Sequence, residues 1–352
     1  MAARADVDAP TIYCPIPFAM HPEVDRLEAR SLDWLHRYGL VPDPARIAAD
    51  NTAEAAALSM PVGPTDLVQI HSDMSYFGLI FDDAMGESGS AGRQKISYMT
   101  AYAQRVPYTL AVPEAGLLDP GNRFEAPWID VARRIHACTD ATRARRWAQG
   151  VGRWLDCMVW EQTSQADTVL DPNHYLVRRL GTIGLPYLVP LLEAASDVSI
   201  ADRDTPAVDA LFEAACTLCG LANDLCSYGK EARDGVGDSY NLVSLLARLR
   251  GLSLSEALAQ TAVLFDQVMV LFVDLRDRLT PEASPALLQF LDALGHTFRG
   301  TIDYHSRART GRYHDDDGSP LFRLAVSDIP PTLTTRIPEF SSIRWWWDHL
   351  DS

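Results

Sequence analysis

Three oxygen-bearing side chains recur every four residues within NDLCSYGKE, residues 223–231: Asn223, Ser227 and Glu231. If this segment is helical, each step advances about 400°, so the three side chains lie on one face within about 80° of arc. The apolar residues just before them predict a buried helix, in which an amide and a carboxylate need partners. Amide, hydroxyl and carboxylate oxygens are ligands that Mg²⁺ favours. The spacing therefore indicates a magnesium site, although a polar stripe that faces solvent or caps a neighbouring helix has the same pattern.

A second acidic cluster, FDDAMGE at residues 81–87, ends an apolar run that predicts a helix. Asp82 and Asp83 are adjacent there, and Glu87 follows. Neighbouring carboxylates repel each other unless a cation neutralises them, and the helix dipole disfavours acids at a helix C-terminus. An ordinary helix end is the alternative. If the two acidic clusters face each other across a cavity, they would hold Mg²⁺ between them.

A magnesium site with few carboxylates usually keeps substrate phosphates as ligands, and a diphosphate also requires basic side chains. The candidates are Arg178, Arg179, Lys230 and Arg312. The two arginines precede two glycines in RRLGTIG, residues 178–184, which predict a break in the helix. Such a break would expose backbone carbonyl groups to the cavity.

Together these segments resemble the motifs of bacterial class I terpene synthases. DDAMGE resembles their aspartate-rich motif, and NDLCSYGKE matches their second metal motif at its Asn, Asp, Ser, Lys and Glu positions. HYLVRRLGTIG resembles the segment that senses diphosphate, and TGRY, residues 310–313, resembles the C-terminal Arg-Tyr pair. The four motifs occur in the family's order and extend over residues 82–313.

The resemblance implies an enzyme that uses three Mg²⁺ ions to ionise a linear prenyl diphosphate and then cyclises the carbocation. It implies that Asp82 binds two ions with support from Asp83 and Glu87, and that Asn223, Ser227 and Glu231 bind the third. It assigns diphosphate binding to Arg179, Lys230, Arg312 and Tyr313. The sensor segment allows two assignments: Arg179 with Thr182, Ile183 and Gly184, or Arg178 with Gly181 and Thr182.

Aromatic rings stabilise cations in a desolvated pocket. Phe77, Phe81 and Tyr304 are the candidates for such a wall. Plain packing in the core is the alternative for each ring.

Helical periodicity dominates the chain from residue 22 onward, and alternating strands with hairpin turns are not evident. Several segments are apolar on more than one face, which is typical of a helix bundle with a buried centre. The sequence predicts an all-α fold, with an N-terminal tail over 1–20 and a single domain over 21–352. The resemblance implies that the bundle surrounds a deep apolar cavity.

Composition excludes several other classes. The net charge of −16 and the absence of a basic run argue against nucleic-acid binding. No apolar stretch is long enough to predict a membrane span, and the N-terminus lacks the pattern of a signal peptide. The six cysteines do not suggest a disulfide framework in a chain of this length. We predict a cytoplasmic protein, with a homodimer as a possible assembly.

Farnesyl diphosphate is the predicted substrate, which makes the protein a sesquiterpene synthase. A diterpene synthase that uses geranylgeranyl diphosphate is the nearest alternative. A chain-elongating prenyltransferase would carry two aspartate-rich motifs, which this sequence lacks. A non-catalytic helical binding protein with a vestigial site is the alternative outside enzymes.

Overall fold

The computed structural model shows a bundle of helices with a short pair of strands. It describes residues 10–41, 47, 50–86, 93–163, 171–234, 241–307, 324–332 and 338–350. The all-α prediction is confirmed, and the strands involve three residues each.

Most of the chain forms helices of two turns or more. The N-terminal half contains α1 (Val24–Arg37), α2 (Thr52–Ser59), α3 (Thr65–Gly86), α4 (Arg93–Ala111), α5 (Ala126–Cys138) and α6 (Ala141–Thr163). The C-terminal half contains α7 (Pro172–Thr182), α8 (Leu185–Ser196), the single turn α9 (Ile200–Arg203), α10 (Pro206–Asp234), α11 (Leu242–Arg250), α12 (Leu254–Leu279) and α13 (Pro285–Ser306). Short 3₁₀ turns lie at Pro113–Ala115, Thr280–Glu282 and Arg344–Leu350.

Polar side chains mark where several helices begin. Asp171 precedes α7 and accepts hydrogen bonds from the backbone N–H groups of Asn173 and His174. Ser253 and Glu256 form a reciprocal capping box at the start of α12. These side chains satisfy N–H groups that have no partner within the helix.

Seven helices surround the centre of the bundle. Helix α3 packs on α2, α6 and α8, and α13 packs on α2, α8 and α10. Helix α7 connects the two groups, because it contacts α6, α8 and α10. The residues predicted to do chemistry lie on these central helices.

The segment Leu254–Glu282 is the one stretch among the described residues that is long and apolar enough to cross a membrane. Its side chains at Val268, Met269 and Phe272 are fully buried, and the helix packs on α10 and α11. This burial is that of a core helix in the bundle.

Two strands, β1 (Thr11–Tyr13) and β2 (Ala325–Ser327), pair in parallel and differ from the helical prediction. Three residues are too few to show the alternation that identifies a strand in sequence. Ile12 is fully buried, and the Tyr13 N–H donates to the carboxylate of Asp266 on α12 over 2.7 Å. Residues 10–20 of the predicted tail therefore lie on the helical body.

The C-terminal RWWWDHL segment also packs on this body. Trp346 is fully buried, and its indole N–H donates to Glu213 on α10 over 3.1 Å. All six cysteines are free thiols, as predicted.

Candidate active site

A cavity of about 320 Å³ opens among α2, α3, α6, α7, α8, α10 and α13. Seven residues singled out from the sequence line it: Asp82, Arg179, Thr182, Ile183, Gly184, Asn223 and Tyr304. The structure therefore brings the first acidic motif, the sensor segment and the second metal motif to one cavity.

Helix α3 turns a single face toward this cavity. His71, Ser75, Gly78 and Asp82 line it, at spacings of four, three and four residues. This is the repeat of one helical face. Asp82 is exposed at the C-terminal end of the helix, whereas the next residue, Asp83, is half-buried and outside the cavity lining.

The prediction that Phe77 and Phe81 form the cavity wall is wrong. Each precedes a cavity-lining position by one residue, and that step turns its side chain by about 100°. Both rings are fully buried and stack on each other with centroids 5.7 Å apart. Phe77 also meets the edge of Trp128 at 5.0 Å, and Phe81 stacks on Tyr102 at 5.2 Å. They belong to an aromatic core behind α3.

Among the described residues, the aromatic side chains that do line the cavity are Trp154, Tyr187 and Tyr304. Trp154 and Tyr187 meet edge to face with centroids 6.0 Å apart, and burial raises the pKa of Tyr187 to about 12. The Tyr304 hydroxyl donates to the carbonyl of Asp50 over 2.6 Å. Sequence reasoning found only Tyr304. The position of Tyr187, three residues after the predicted break at Gly184, was a signal that could have identified it.

Arg179 is held in place by three side chains. Its Nε donates to Asp224 over 3.0 Å, its Nη1 to the Thr182 hydroxyl over 3.2 Å, and its Nη2 to the Asn223 amide oxygen over 2.5 Å. Gly220 makes room for the arginine, because a β-carbon there would lie 2.7 Å from the Arg179 Cγ. The guanidinium is thus fixed beside the cavity with little conformational freedom to lose on binding.

Asp224 is the residue that sequence reasoning left without a role. Its carboxylate is almost fully buried and accepts from Arg179, from the Tyr175 hydroxyl over 2.6 Å and from the Leu242 N–H over 3.1 Å. The Asn241 side chain donates to the Asp224 backbone carbonyl over 2.8 Å. A buried carboxylate requires such partners. This one joins α7, α10 and the start of α11.

Arg178 occupies a different environment from its neighbour. Its guanidinium lies over the ring of Trp160, 4.9 Å from the centroid, and it is outside the cavity lining. Consecutive helical residues differ by about 100° in direction, so only one of the two arginines can face the cavity. Of the two alternatives left open by the sequence, the geometry favours Arg179.

The predicted helix break is confirmed. Helix α7 ends at Thr182, Gly184 has a φ of +80°, and α8 begins at Leu185. A positive φ is readily adopted by glycine. Thr182, Ile183 and Gly184 all line the cavity at this break.

Asn223 connects the sensor arginine to a residue that the sequence did not suggest, His305. The Asn223 amide nitrogen lies 3.1 Å from His305 Nε2, and His305 Nδ1 lies 2.7 Å from the Thr301 carbonyl oxygen. A carbonyl can only accept, so Nδ1 carries the hydrogen and Nε2 accepts from the asparagine. This bond directs the Asn223 oxygen toward Arg179. His305 stands outside any motif, and only its place near the end of α13 relates it to the site.

The remaining predicted residues are less completely described. Ser227 is buried one helical turn beyond Asn223 on α10. The backbone of Lys230 and Glu231 continues the same helix, and their side chains lie outside the described residues. Glu87, Arg312 and Tyr313 lie outside the described residues altogether.

The donor set fits a hard divalent cation. Asp82 supplies a carboxylate, Asn223 an amide oxygen and Ser227 a hydroxyl, all from α3 and α10. Within the described ranges no three His, Cys, Asp or Glu side chains cluster closely enough to hold a metal alone. A metal here would therefore take some of its ligands from a bound anion.

Residues 73–271, more than half of the chain, match the family described as terpene synthase family 2, C-terminal metal binding. The chain belongs to this family. The matched region contains both acidic motifs and the sensor segment.

Curated relatives cover nearly the whole chain. A diterpene cyclase, DtcycA, from a Streptomyces species is 28% identical over 97% of this chain and 96% of its own. The (+)-T-muurolol synthase of Streptomyces clavuligerus, named as cyclising (2E,6E)-farnesyl diphosphate, is 27% identical over 95% of this chain and 81% of its own.

Solved structures share the fold. The SVS_A2 protein from ancestral sequence reconstruction is 31% identical, with a TM-score of 0.79 over 97% of this chain and 99% of its own. The helical fold, the cavity and the family define the protein as an enzyme, a bacterial class I terpene synthase. The family is described as metal binding.

Proposed function

We propose that the protein ionises farnesyl diphosphate with the help of Mg²⁺, cyclises the carbocation to a sesquiterpene and releases diphosphate. The observation that carries this proposal is the meeting of Asp82, Arg179 and Asn223 at one cavity whose wall also contains Trp154, Tyr187 and Tyr304. Acidic and basic groups would hold the leaving group, and the aromatic wall would face the cation.

Asp82 would bind two of three Mg²⁺ ions, with Asp83 and Glu87 in support. Asn223, Ser227 and Glu231 would bind the third. Bound Mg²⁺ stabilises the negative charge that develops on the departing diphosphate. The number of ions follows from the family resemblance, and the mixed carboxylate, amide and hydroxyl donors support the choice of Mg²⁺.

Arg179 would bind the diphosphate directly, with Lys230, Arg312 and Tyr313. Its position beside the cavity is fixed by Asp224, which keeps the guanidinium charge where the leaving group would lie. A preorganised charge stabilises developing charge without reorganisation during the reaction. Arg178, turned onto Trp160, has no direct role in this proposal.

The apolar part of the cavity would fold the chain and exclude water. Leu79, Met158, Ile183 and Leu188 contribute aliphatic surface, and Trp154 and Tyr187 add aromatic rings that would stabilise a cation. Exclusion of water prevents early quenching of the carbocation.

Farnesyl diphosphate is preferred over geranylgeranyl diphosphate because the cavity is small. Its volume of about 320 Å³ is near the lower end of the roughly 300–1,000 Å³ of typical ligand sites. Relatives of both kinds exist, since one is named as a diterpene cyclase and another as cyclising farnesyl diphosphate. The longer substrate therefore remains the alternative.

The test is an incubation of purified protein with geranyl, farnesyl or geranylgeranyl diphosphate and Mg²⁺, with products separated by gas chromatography and mass spectrometry. We expect a cyclic C15 product from farnesyl diphosphate and none after EDTA treatment. A C20 product alone would show that the substrate is geranylgeranyl diphosphate instead of farnesyl diphosphate. Absence of product from every substrate would contradict the proposed function. Cytoplasmic location and a homodimer remain predictions.

A further inference from the structure

His71 is an ionisable side chain in the cavity wall that the diphosphate site does not use. It is 7% exposed and lines the cavity from α3. It precedes Asp82 by eleven residues, which places it about 16 Å away along the helix axis. His71 therefore lies toward the end of the cavity that is remote from the acidic motif.

Two serine hydroxyls flank the imidazole ring. Nε2 lies 3.2 Å from the Ser59 hydroxyl oxygen and Nδ1 lies 3.4 Å from that of Ser75. Both hydroxyl groups have closer acceptors in their own helices: Ser75 donates to the His71 carbonyl over 2.8 Å, and Ser59 donates to the carbonyl of Ala55. The serine protons are thus directed at backbone carbonyls, and the ring nitrogens face oxygen atoms.

This arrangement leaves the ring with basic capacity. A neutral imidazole has one N–H, which can donate to one serine oxygen, while its other nitrogen presents a lone pair. With the serine protons on the carbonyls, that lone pair receives no hydrogen from Ser59 or Ser75. Burial lowers the pKa of His71 to about 4, so the ring is neutral near pH 7.

We propose that His71 is the base that ends the reaction. This inference rests on the proposed function and deepens it. A C–H bond beside the last cationic carbon breaks, its electron pair becomes the new π bond, and the proton moves to the ring nitrogen that carries no hydrogen. The product is a cyclic alkene, and the imidazolium passes its proton to water after the product leaves.

The other ionisable groups of the cavity are less well placed for this step. Asp82 lies in the acidic motif, and His305, whose Nε2 accepts from Asn223, lies beside the sensor arginine. Glu161 directly follows Trp160, and the Arg178 guanidinium lies over the Trp160 ring. Glu161 therefore lies at the level of the sensor segment. His71 is the base remote from the diphosphate end. Even a weakly basic imidazole suffices here, because a carbocation is a far stronger acid than an imidazolium ion.

The test compares His71→Gln and His71→Phe with the wild-type enzyme in two assays, release of diphosphate and product analysis. We expect diphosphate release to continue, because His71 acts after ionisation, and the carbon skeleton to be retained. The share of the original alkene should fall by about tenfold or more, replaced by double-bond isomers or an alcohol from water. His296→Gln is the matched control, since His296 is a half-buried histidine of α13 outside the cavity lining.

Two results would overturn the proposal. An unchanged product mixture in both variants would show that another group takes the proton. A changed carbon skeleton in both would show that His71 only shapes the wall. Failure of the proposed function is separate, because the wild-type enzyme would then release no diphosphate from any prenyl diphosphate.

Discussion

At the scale of single residues, Asp224 of the second metal motif holds Arg179 of the sensor segment in place. Asp224 belongs to the metal motif in sequence, yet its carboxylate lies 2.9 Å from the Arg179 guanidinium and is almost fully buried. Removing either charge would leave the other unpaired, which typically costs about 3–5 kcal/mol. A useful substitution at Arg179 must therefore keep the positive charge.

Arg179→Lys should lower turnover by about 100-fold while the protein stays folded. Lysine retains a charge for Asp224 but cannot form the planar fork that reaches Thr182 and Asn223 together. Steady-state assays with farnesyl diphosphate measure the effect. Arg178→Lys is the matched control and should retain its activity, because Arg178 faces Trp160. Equal losses of turnover in the two variants would refute the assignment of Arg179, and not Arg178, as the diphosphate sensor.

His71 should also influence stability at low pH. Burial lowers its pKa from 6.5 to about 4, so between these values the unfolded state binds more protons than the folded state. The free energy of unfolding should therefore fall as the pH decreases from about 6.5 toward 4.

Urea unfolding at pH 7 and pH 4.5 measures this contribution, which we expect to be about 2 kcal/mol. The loss should be smaller in His71→Gln. The comparison with the variant is needed because burial raises the pKa of Asp266 to about 6, which acts in the opposite direction. Equal pH dependence in the two proteins would show that His71 is not buried as a neutral ring.

Sequence reasoning located Arg179 and Asn223 because charge and hydrogen-bonding capacity are visible in residue type and spacing. It misplaced Phe77 and Phe81 because periodicity predicts a helix without fixing its rotation about its axis. It missed His305 because the contact with Asn223 joins residues 82 positions apart. Only the packing of α10 on α13 brings them together.

At the scale of elements, the break between α7 and α8 is the feature most open to test. Gly184→Ala should lower stability and change the product mixture. An alanine there would have to adopt a φ of +80°. Its β-carbon would lie 2.8 Å from the Tyr187 hydroxyl, which would shift an aromatic side chain of the cavity wall.

Gly251→Ala is the matched control, because Gly251 has a φ of +63° and a β-carbon at this position would have no neighbouring atom within 4 Å. It should cost about 1 kcal/mol from backbone strain alone, without a change in products. Thermal unfolding and product analysis of both variants provide the comparison. A similar loss of stability and identical products in the two variants would argue against a special role for Gly184.

The helices themselves were predictable, since apolar residues at helical spacing and capping side chains mark most of them. The break was predictable from its glycines. The parallel pairing of β1 with β2 was not, because it joins segments more than 300 residues apart and each strand has only three residues.

At the scale of the whole molecule, ligand binding should stabilise the fold. With Mg²⁺ and inorganic diphosphate together at about 100 times their dissociation constant, the free energy of unfolding should rise by about 2.7 kcal/mol. Asn223→Ala should lose most of this gain, because it removes a proposed metal ligand. Thermal unfolding with and without EDTA tests this. Full stabilisation of the variant would contradict the metal role of Asn223.

The contact between Asn223 and Arg179 has a thermodynamic consequence. The same amide oxygen that accepts from Arg179 is the atom proposed to bind a metal ion. Metal binding would release that arginine N–H for an anion, and anion binding would release the oxygen for a metal. Each ligand would therefore raise the affinity of the other by the same factor. The free enzyme would bind either one alone weakly and both together well.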